Sequence, residues 1–364
     1  MPSATLKAIY LLTFALNPRL CYCYHLRACQ SAMKRTLLLR ATVKSGQTHG
    51  LGCPSLSTPK LQENFLSTMG NPRFIAAPMV QQSDLAFRLL VRRHGCDLAF
   101  TQMLHSRNFV NSAKFRKQNW DPLPCAPGEV TSLDASAGLP FDRPLIAQFA
   151  GDDPDVVVKA ASYVKDQDVD AVDLNLGCPQ AIARKGHYGA FLLREPLLVE
   201  ALVKGMVANL TVPVTVKMRV LEEGPDATIE FAKMIEACGA SMLTLHGRTL
   251  KQNKNYCGST DMDTIRRVNA ALAIPVVANG GVETTLDALR ILRFTGCAAV
   301  MSSEALLENP ALFCPKAVTV AQRRLEKALA TQAEAAEAEK SRSRGGDQHE
   351  SLPPNSISSS SSSS

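Results

Sequence analysis

The first 62 positions contain no acidic residue: eight Lys and Arg precede the first acid, Glu63. The remainder carries 32 Lys and Arg against 33 Asp and Glu, so the net charge of +7 belongs to the leader and the body is close to neutral. The basic pI therefore does not mark a nucleic-acid binder, and any footprint for RNA has to be a local patch. No run of about 18 apolar residues is present, which argues against a helical membrane span. Eleven cysteines include no C-x2-C pair and no Cys/His spacing suited to zinc, so no metal centre is expected. Four of them (Cys21, Cys23, Cys29, Cys53) lie in the leader, and the other seven are scattered singly, as expected of small buried hydrophobes in a reducing compartment.

The acid-free leader is rich in Ser and Thr and has an apolar stretch at residues 9–16. It reads as an organelle transit segment, mitochondrial or plastid. The alternative is an extension that is no part of the working protein, which would leave a cytoplasmic or nuclear location. Residues 1–68 are assigned to this leader.

From Arg73 the texture changes. Short β-branched apolar runs at residues 73–79, 97–103, 144–149, 171–176, 212–218, 241–246, 274–279 and 297–302 read as strands. Amphipathic stretches at 84–93, 155–165, 196–207, 228–237, 261–271 and 286–294 read as helices between them. Gly95, Gly239 and Gly296 each close a helix just before a strand. Eight apolar strands alternating with helices over about 240 residues predict an α/β fold, a (β/α)8 TIM barrel spanning 69–315. Residues 104–143 show no good helix and are expected as an extended loop. Residues 316–340 could form one Ala/Glu-rich helix, and 341–364 end in a Ser run too poor in apolar residues to fold.

Chemistry in such a barrel sits at the carboxyl ends of the strands. Those ends are polar here: Gln148, then Asn175 to Cys178, Lys217 to Arg219, His246 to Arg248, Asn279-Gly280-Gly281, and Ser302-Ser303-Glu304. A lysine inside the apolar run VPVTVKMRV is costly unless it meets an anion or strong acceptors. The glycines after the seventh strand can present backbone N–H groups to a phosphate, although a plain strand–helix turn would use them too.

The runs AAPMVQQSDLAFR (76–88), DLNLGCPQ (173–180), VKMR (216–219), LHGRT (245–249), ANGGV (278–282) and NPALF (309–313) resemble, in order and spacing, those of the tRNA-dihydrouridine synthases. The neighbouring ARKGHYGAFL and MSSEALLENPALF most resemble the eukaryotic branch acting on uridines 16 and 17. The resemblance implies FMN held by Pro78, Met79, Val80, Gln148, Lys217, His246, Asn279, Gly280, Gly281, Ser303 and Glu304, with NADPH or NADH as reductant. It implies that hydride reaches C6 of an extruded uridine in the D-loop of tRNA while Cys178 protonates C5. A thiol with a reference pKa near 8.5 is mostly protonated at neutral pH, as an acid must be.

For the tRNA partner, Asn175, Arg184, Lys185, Arg219 and Arg248 are the candidate substrate contacts. Residues 106–120 interleave Arg107, Lys114, Arg116 and Lys117 with Phe109, Phe115 and Trp120. That pattern suits phosphate contacts and base stacking, or else a solvated charged face over core aromatics. Lys251 and Lys254 add to the basic rim. A monomer is expected. The resemblance breaks after the barrel, where the family places a helical domain that grips tRNA and this sequence has one Ala/Glu-rich segment and the Ser run. Two other readings remain open: a flavin-dependent reductase of a free pyrimidine or other small molecule, and a catalytically weak tRNA-binding factor.

Overall fold

The computed structural model describes residues 65–122, 142–164, 168–253 and 257–346. Residues 1–64 of the stretch assigned to the leader, Lys165, Lys254 and the Ser run lie outside these residues. Nine strands follow in chain order: β1 (Phe74–Ala76), β2 (Leu98–Phe100), β3 (Leu104–His105), β4 (Leu145–Ala150), β5 (Ala171–Leu176), β6 (Val214–Arg219), β7 (Met242–His246), β8 (Val276–Asn279) and β9 (Ala299–Ser302). Every pairing is parallel, and eight strands close into a ring where β1 meets β9 and β2 meets β4. The protein is a (β/α)8 barrel, as its sequence pattern predicts. β3 continues the line of β2 along β4, pairing Leu104 with Phe149 after a break at 101–103.

The helices are α1 (Leu85–Arg93), α2 (Ser106–Asn111), α3 (Ala113–Asn119), α4 (Pro154–Ala161), α5 (Ala181–Lys185), α6 (Pro196–Asn209), α7 (Pro225–Ala237), α8 (Met262–Ala271), α9 (Thr285–Thr295), α10 (Glu304–Glu308) and α11 (Pro315–Gly346). Their starts are written in the sequence. Asp84 accepts from the Phe87 N–H, Asp153 from Asp155 and Val156, and Thr284 forms a reciprocal cap with Asp287. Pro196 and Pro225 open α6 and α7, where a missing N–H costs nothing. Gly296 ends α9 in the left-handed conformation.

Two expectations need correction. Of residues 104–143, expected as an extended loop, 104–119 are not one: they form β3, α2 and α3, with Ser112 capping α3 by accepting from the Phe115 N–H. Residues 341–346, expected within the tail, continue α11, because the Ala/Glu/Lys run carries helical conformation up to the breaker Gly345-Gly346.

The barrel interior is divided by height. Ile75, Leu98, Ile146, Ala171, Met242, Val277 and Ala299 form an apolar layer, stoppered by Leu66 with Phe65 and Met69. The upper layer is polar and holds the site. The outer core packs strands against helices, and Phe313 stacks on Phe74 with ring centroids 4.6 Å apart.

Arg88 supports the loop that follows β1. Fully buried, it donates to Asp142 (Nε, 2.8 Å), Asp121 (3.1 Å) and the Ser83 carbonyl (2.8 Å). Ser83 in turn donates to the Ala77 carbonyl and accepts from the Met79 N–H, which fixes the Pro78–Met79 backbone. Asp142 is also buried and shares its charge with Arg92. Removing one partner of a buried pair leaves an uncompensated charge. Arg88→Ala is therefore expected to lower stability by about 3 kcal/mol, read as a fall in the urea midpoint at unchanged m-value.

Candidate active site

Successive residues of a strand face opposite sides, so a barrel strand sends alternate side chains inward. The register sets Gln148 beside Asp173, Asp173 beside Thr215, Asn175 beside Lys217, Lys217 beside Thr244, and His246 beside Asn279. These residues make the upper layer.

A continuous chain of hydrogen bonds crosses it. Thr215 donates to one oxygen of Asp173 (2.6 Å) and the Gln148 amide donates to the other (2.8 Å). Asn175 donates to the Gln148 carbonyl oxygen (2.7 Å), and its own carbonyl accepts from the Gly177 and Cys178 N–H groups (3.1 and 3.0 Å). Burial pushes the Asp173 carboxyl up to about 6, against the pull of Thr215, Gln148 and Lys217, so at neutral pH it is mostly an anion with both oxygens bonded. Gln148 thus has both ends of its amide engaged, leaving one N–H and one lone pair for a ligand. Asp173 and Thr215 escaped the sequence reading. Their signal was the period-two polarity of DLN in β5 and TVK in β6.

Cys178 sits on the turn after β5, packed against the cluster of Ala150, Ala183 and Tyr188. Burial raises its thiol pKa, opposed by the Gln180 N–H and more weakly by Arg219 and Lys217, so it holds its proton at neutral pH. Ala190 donates to the Cys178 carbonyl (3.1 Å).

Lys217 is half-buried, and burial, with Arg219 nearby, lowers it to about 8. Among the described residues no hydrogen bond or ion pair takes up its ammonium group. Burial and the cations Lys217, Arg219 and Arg248 push His246 down to about 2, so its imidazole is neutral. His246 Nε2 is buried without a hydrogen-bond partner among the described residues, as are the hydroxyls of Thr244, Thr260 and Ser302. Gly280, at φ 99°, passes so close that a Cβ there would lie 2.9 Å from that nitrogen. Gly281 follows at φ 71°, and Asn279 donates to the Met301 carbonyl.

Gln148, Asn175, Cys178, Lys217, His246, Asn279, Gly280 and Gly281 thus stand at the carboxyl ends of five adjacent strands. Pro78 and Met79 are half-buried after β1, whereas Val80 is 53% exposed. Ser303 and Glu304 open α10 beyond β9, the first half-buried and the second exposed. Arg219 is spent on protein carbonyls: it donates to Gly177 (2.8 Å), Thr249 (2.9 Å) and Gln252 (3.2 Å), tying the cysteine turn to the loop after β7. Arg248 donates to the Gly258 carbonyl, and Arg184 and Lys185 are exposed on α5.

The stretch 106–120 takes the second of its two readings. Phe109 is fully buried, edge-on to Phe149 and Trp120, and Arg116 donates to the Phe109 and Val110 carbonyls while stacking on Tyr163. Its aromatics are core, not base-stacking platforms.

The donor set fits a flavin mononucleotide: an unpaired cation, a neutral imidazole nitrogen, unpartnered hydroxyls and a glycine backbone without side chains. No group of three or more His, Cys, Asp or Glu suited to a metal exists among the described residues. Nor is any described helix long and apolar enough to cross a membrane.

Gln148→Leu keeps the volume but leaves an Asp173 oxygen and the Asn175 amide unpaired. The expected cost is about 2–4 kcal/mol, measured by urea unfolding, because each buried unsatisfied group costs about 1–3 kcal/mol.

Known proteins share this arrangement of motifs. The sequence pattern that defines the dihydrouridine synthase (Dus) family matches residues 75–350. A Mus musculus protein named tRNA-dihydrouridine(16/17) synthase [NAD(P)(+)]-like is 46% identical over 257 residues, which is 70% of this chain and 51% of the mouse protein. The tRNA-dihydrouridine(16/17) synthase [NAD(P)(+)] of Saccharomyces cerevisiae is 43% identical over 247 residues, 67% of this chain and 55% of the yeast protein. The chain therefore spans about half the length of these relatives. With a family pattern covering most of the chain and motifs that converge on one rim, this protein belongs to the dihydrouridine synthase family.

Proposed function

We propose that the barrel is the catalytic domain of an FMN-dependent oxidoreductase that reduces the C5=C6 bond of uridine in the D-loop of tRNA, at positions 16 and 17, at the expense of NADPH or NADH. The observation that carries this reading is the meeting, on one rim, of a protonated thiol, an unpaired lysine and a neutral imidazole. The names of the relatives support the substrate and the nicotinamide.

Lys217, His246, Gln148 and the backbone at Asn279–Gly281 would hold the flavin, with Pro78, Met79, Ser303 and Glu304 at its margin. When bound, the flavin supplies hydride to C6 of the base. The chain's own residues do the rest. Lys217 would set its positive charge against the negative charge of a reduced flavin, from a buried position where charge is weakly screened. His246 accepts or donates one hydrogen bond as a neutral group, so it adds no second full charge beside Lys217. Cys178 keeps a proton on Sγ at neutral pH because burial disfavours a thiolate, and it would deliver that proton to C5 of the base. Asn175, bonded to two N–H groups of the turn, holds Sγ in place, and the Gln148–Asp173–Thr215 chain holds Asn175. Arg184 and Lys185, exposed on α5, would meet tRNA phosphates.

Purified protein is expected to be yellow, with a flavin absorbance bleached by NADPH; colourless protein that FMN does not reconstitute would remove the reading. Cys178→Ala should retain flavin and its reduction by NADPH while losing at least about 100-fold in dihydrouridine formation, the scale of a general acid. Equal product from the mutant would mean that another group gives the proton. Lys217→Ala should weaken FMN binding or slow reoxidation by tRNA, followed by fluorescence and stopped flow.

A further inference from the structure

The segment between the cysteine turn and α6 folds back on Cys178 in a conformation that local preferences do not favour. His187 has φ 52° and Gly189 φ 72°. A side chain at Gly189 would lie 2.8 Å from the Cys178 carbonyl oxygen and 2.9 Å from its Cβ. The next residue, Ala190, donates to that same carbonyl. Between them, Tyr188 is buried in the cluster against which Cys178 packs. A non-glycine residue in the left-handed region persists only where its surroundings hold it.

Besides the backbone bonds from Tyr188 to Ala183 (3.0 Å) and from Ala190 to Cys178 (3.1 Å), a side-chain clasp spans the segment. His187 Nδ1 lies 3.0 Å from Asp152, on the loop after β4, and Nε2 lies 2.6 Å from Glu195, at the start of α6. Arg107 from α2 meets the other oxygen of Asp152 (3.4 Å), and Arg184 and Lys185 are the charges on α5 just before the clasp. His105 on β3 lies edge-on to Tyr188 (5.1 Å) and near Asp152 and Arg107, and burial, with Arg107, holds its imidazole below the ordinary histidine range. Two carboxylates cannot both accept from a neutral imidazole, which has one N–H. The geometry therefore requires the doubly protonated ring. The ring bridges the loop after β4 (the strand bearing Gln148) and the residue that precedes α6.

We propose that His187 is a positioning residue for Cys178: as a cation clamped between Asp152 and Glu195, it presses the 187–190 segment against the cysteine backbone and fixes where the thiol points. The clasp should be pH-dependent. Bonding to Glu195 and Asp152 raises the His187 pKa, so the clasp is closed below the ordinary histidine range and opens as pH rises through the raised value. The proposal rests on the reading of Cys178 as proton donor, but its first test does not.

Full-length protein and the variants H187Q, H187R and E195Q are compared by alkylation of Cys178 with iodoacetamide, followed at that residue by mass spectrometry from about pH 6 to about pH 9. An isolated thiol below its pKa gains tenfold in rate per pH unit. The parent should rise more steeply, by several-fold, as the clasp opens. H187Q and E195Q should start faster at low pH and follow the simple slope. H187R, which keeps a cation able to serve both carboxylates, should stay slow without the extra rise. Identical profiles in all four proteins would overturn the proposal. If H187Q does not fold, D152N and E195Q each remove one arm, and parent-like profiles in both would overturn it equally.

The second assay is reoxidation of the NADPH-reduced protein by tRNA. H187Q should lose on the order of ten- to hundredfold in kcat, the scale of a small misplacement, with KM for tRNA little changed and flavin reduction by NADPH intact. H187R should recover most of the rate. Should alkylation behave as expected while even the parent is not reoxidised by tRNA, the clasp stands and the functional reading falls.

Discussion

One buried carboxylate organises the upper half of this barrel. Asp173 sits among apolar strands, where a charge is expensive, and its two oxygens are answered by Thr215 from one neighbouring strand and Gln148 from the other. Satisfying Asp173 fixes the Gln148 amide, which fixes Asn175, which fixes the two N–H groups that shape the cysteine turn. Every member of the chain has a partner, so it is a rigid frame rather than a liability. The position of the Cys178 thiol is thus inherited from a hydrogen-bond chain that never touches sulfur.

Around that frame the charges are unequal by design of the fold. Arg219, the more buried cation, is consumed by three backbone carbonyls and staples the cysteine turn to the loop after β7. Lys217, two residues earlier on the same inward face, is left unpaired among the described residues. Burial first, and then the cations Lys217, Arg219 and Arg248, keep His246 neutral, and the unpaired charge of Lys217 calls for an anionic or electron-rich ligand. Below lies a dry apolar layer with its stopper, which keeps water from reaching the polar layer from beneath.

Much of this was legible in the amino-acid order. The eight strands and six of the helices could be placed because parallel strands buried on both faces read as apolar runs, and because Asp153-Pro154, Gly95, Gly239 and Gly296 punctuate them. The rim residues were visible as polar side chains at strand ends. The failures have physical causes. Residues 106–120 spread four aromatic and aliphatic core contacts over two short helices, each too short to show a period, so charge and aromatics looked like an RNA face. Asp173 was hidden because an acid within a strand suggests exposure, and only its partners on β4 and β6, distant in sequence, show that it is buried. The carbonyl partners of Arg219 were hidden for the same reason: all three come from two remote loops. His187 carried no signal at all until the fold set Asp152 and Glu195 on either side of it.

The central claim is that the thiol on the β5 turn and a flavin held by the later strand ends act on one base. It is tested most directly by mixing NADPH-reduced protein with unmodified tRNA under anaerobic conditions, following flavin absorbance while mapping dihydrouridine in the RNA. Reoxidation matched mole for mole by dihydrouridine confined to the D-loop is the expected result. Flavin that stays reduced in the presence of tRNA, or is reoxidised without dihydrouridine appearing, would contradict it.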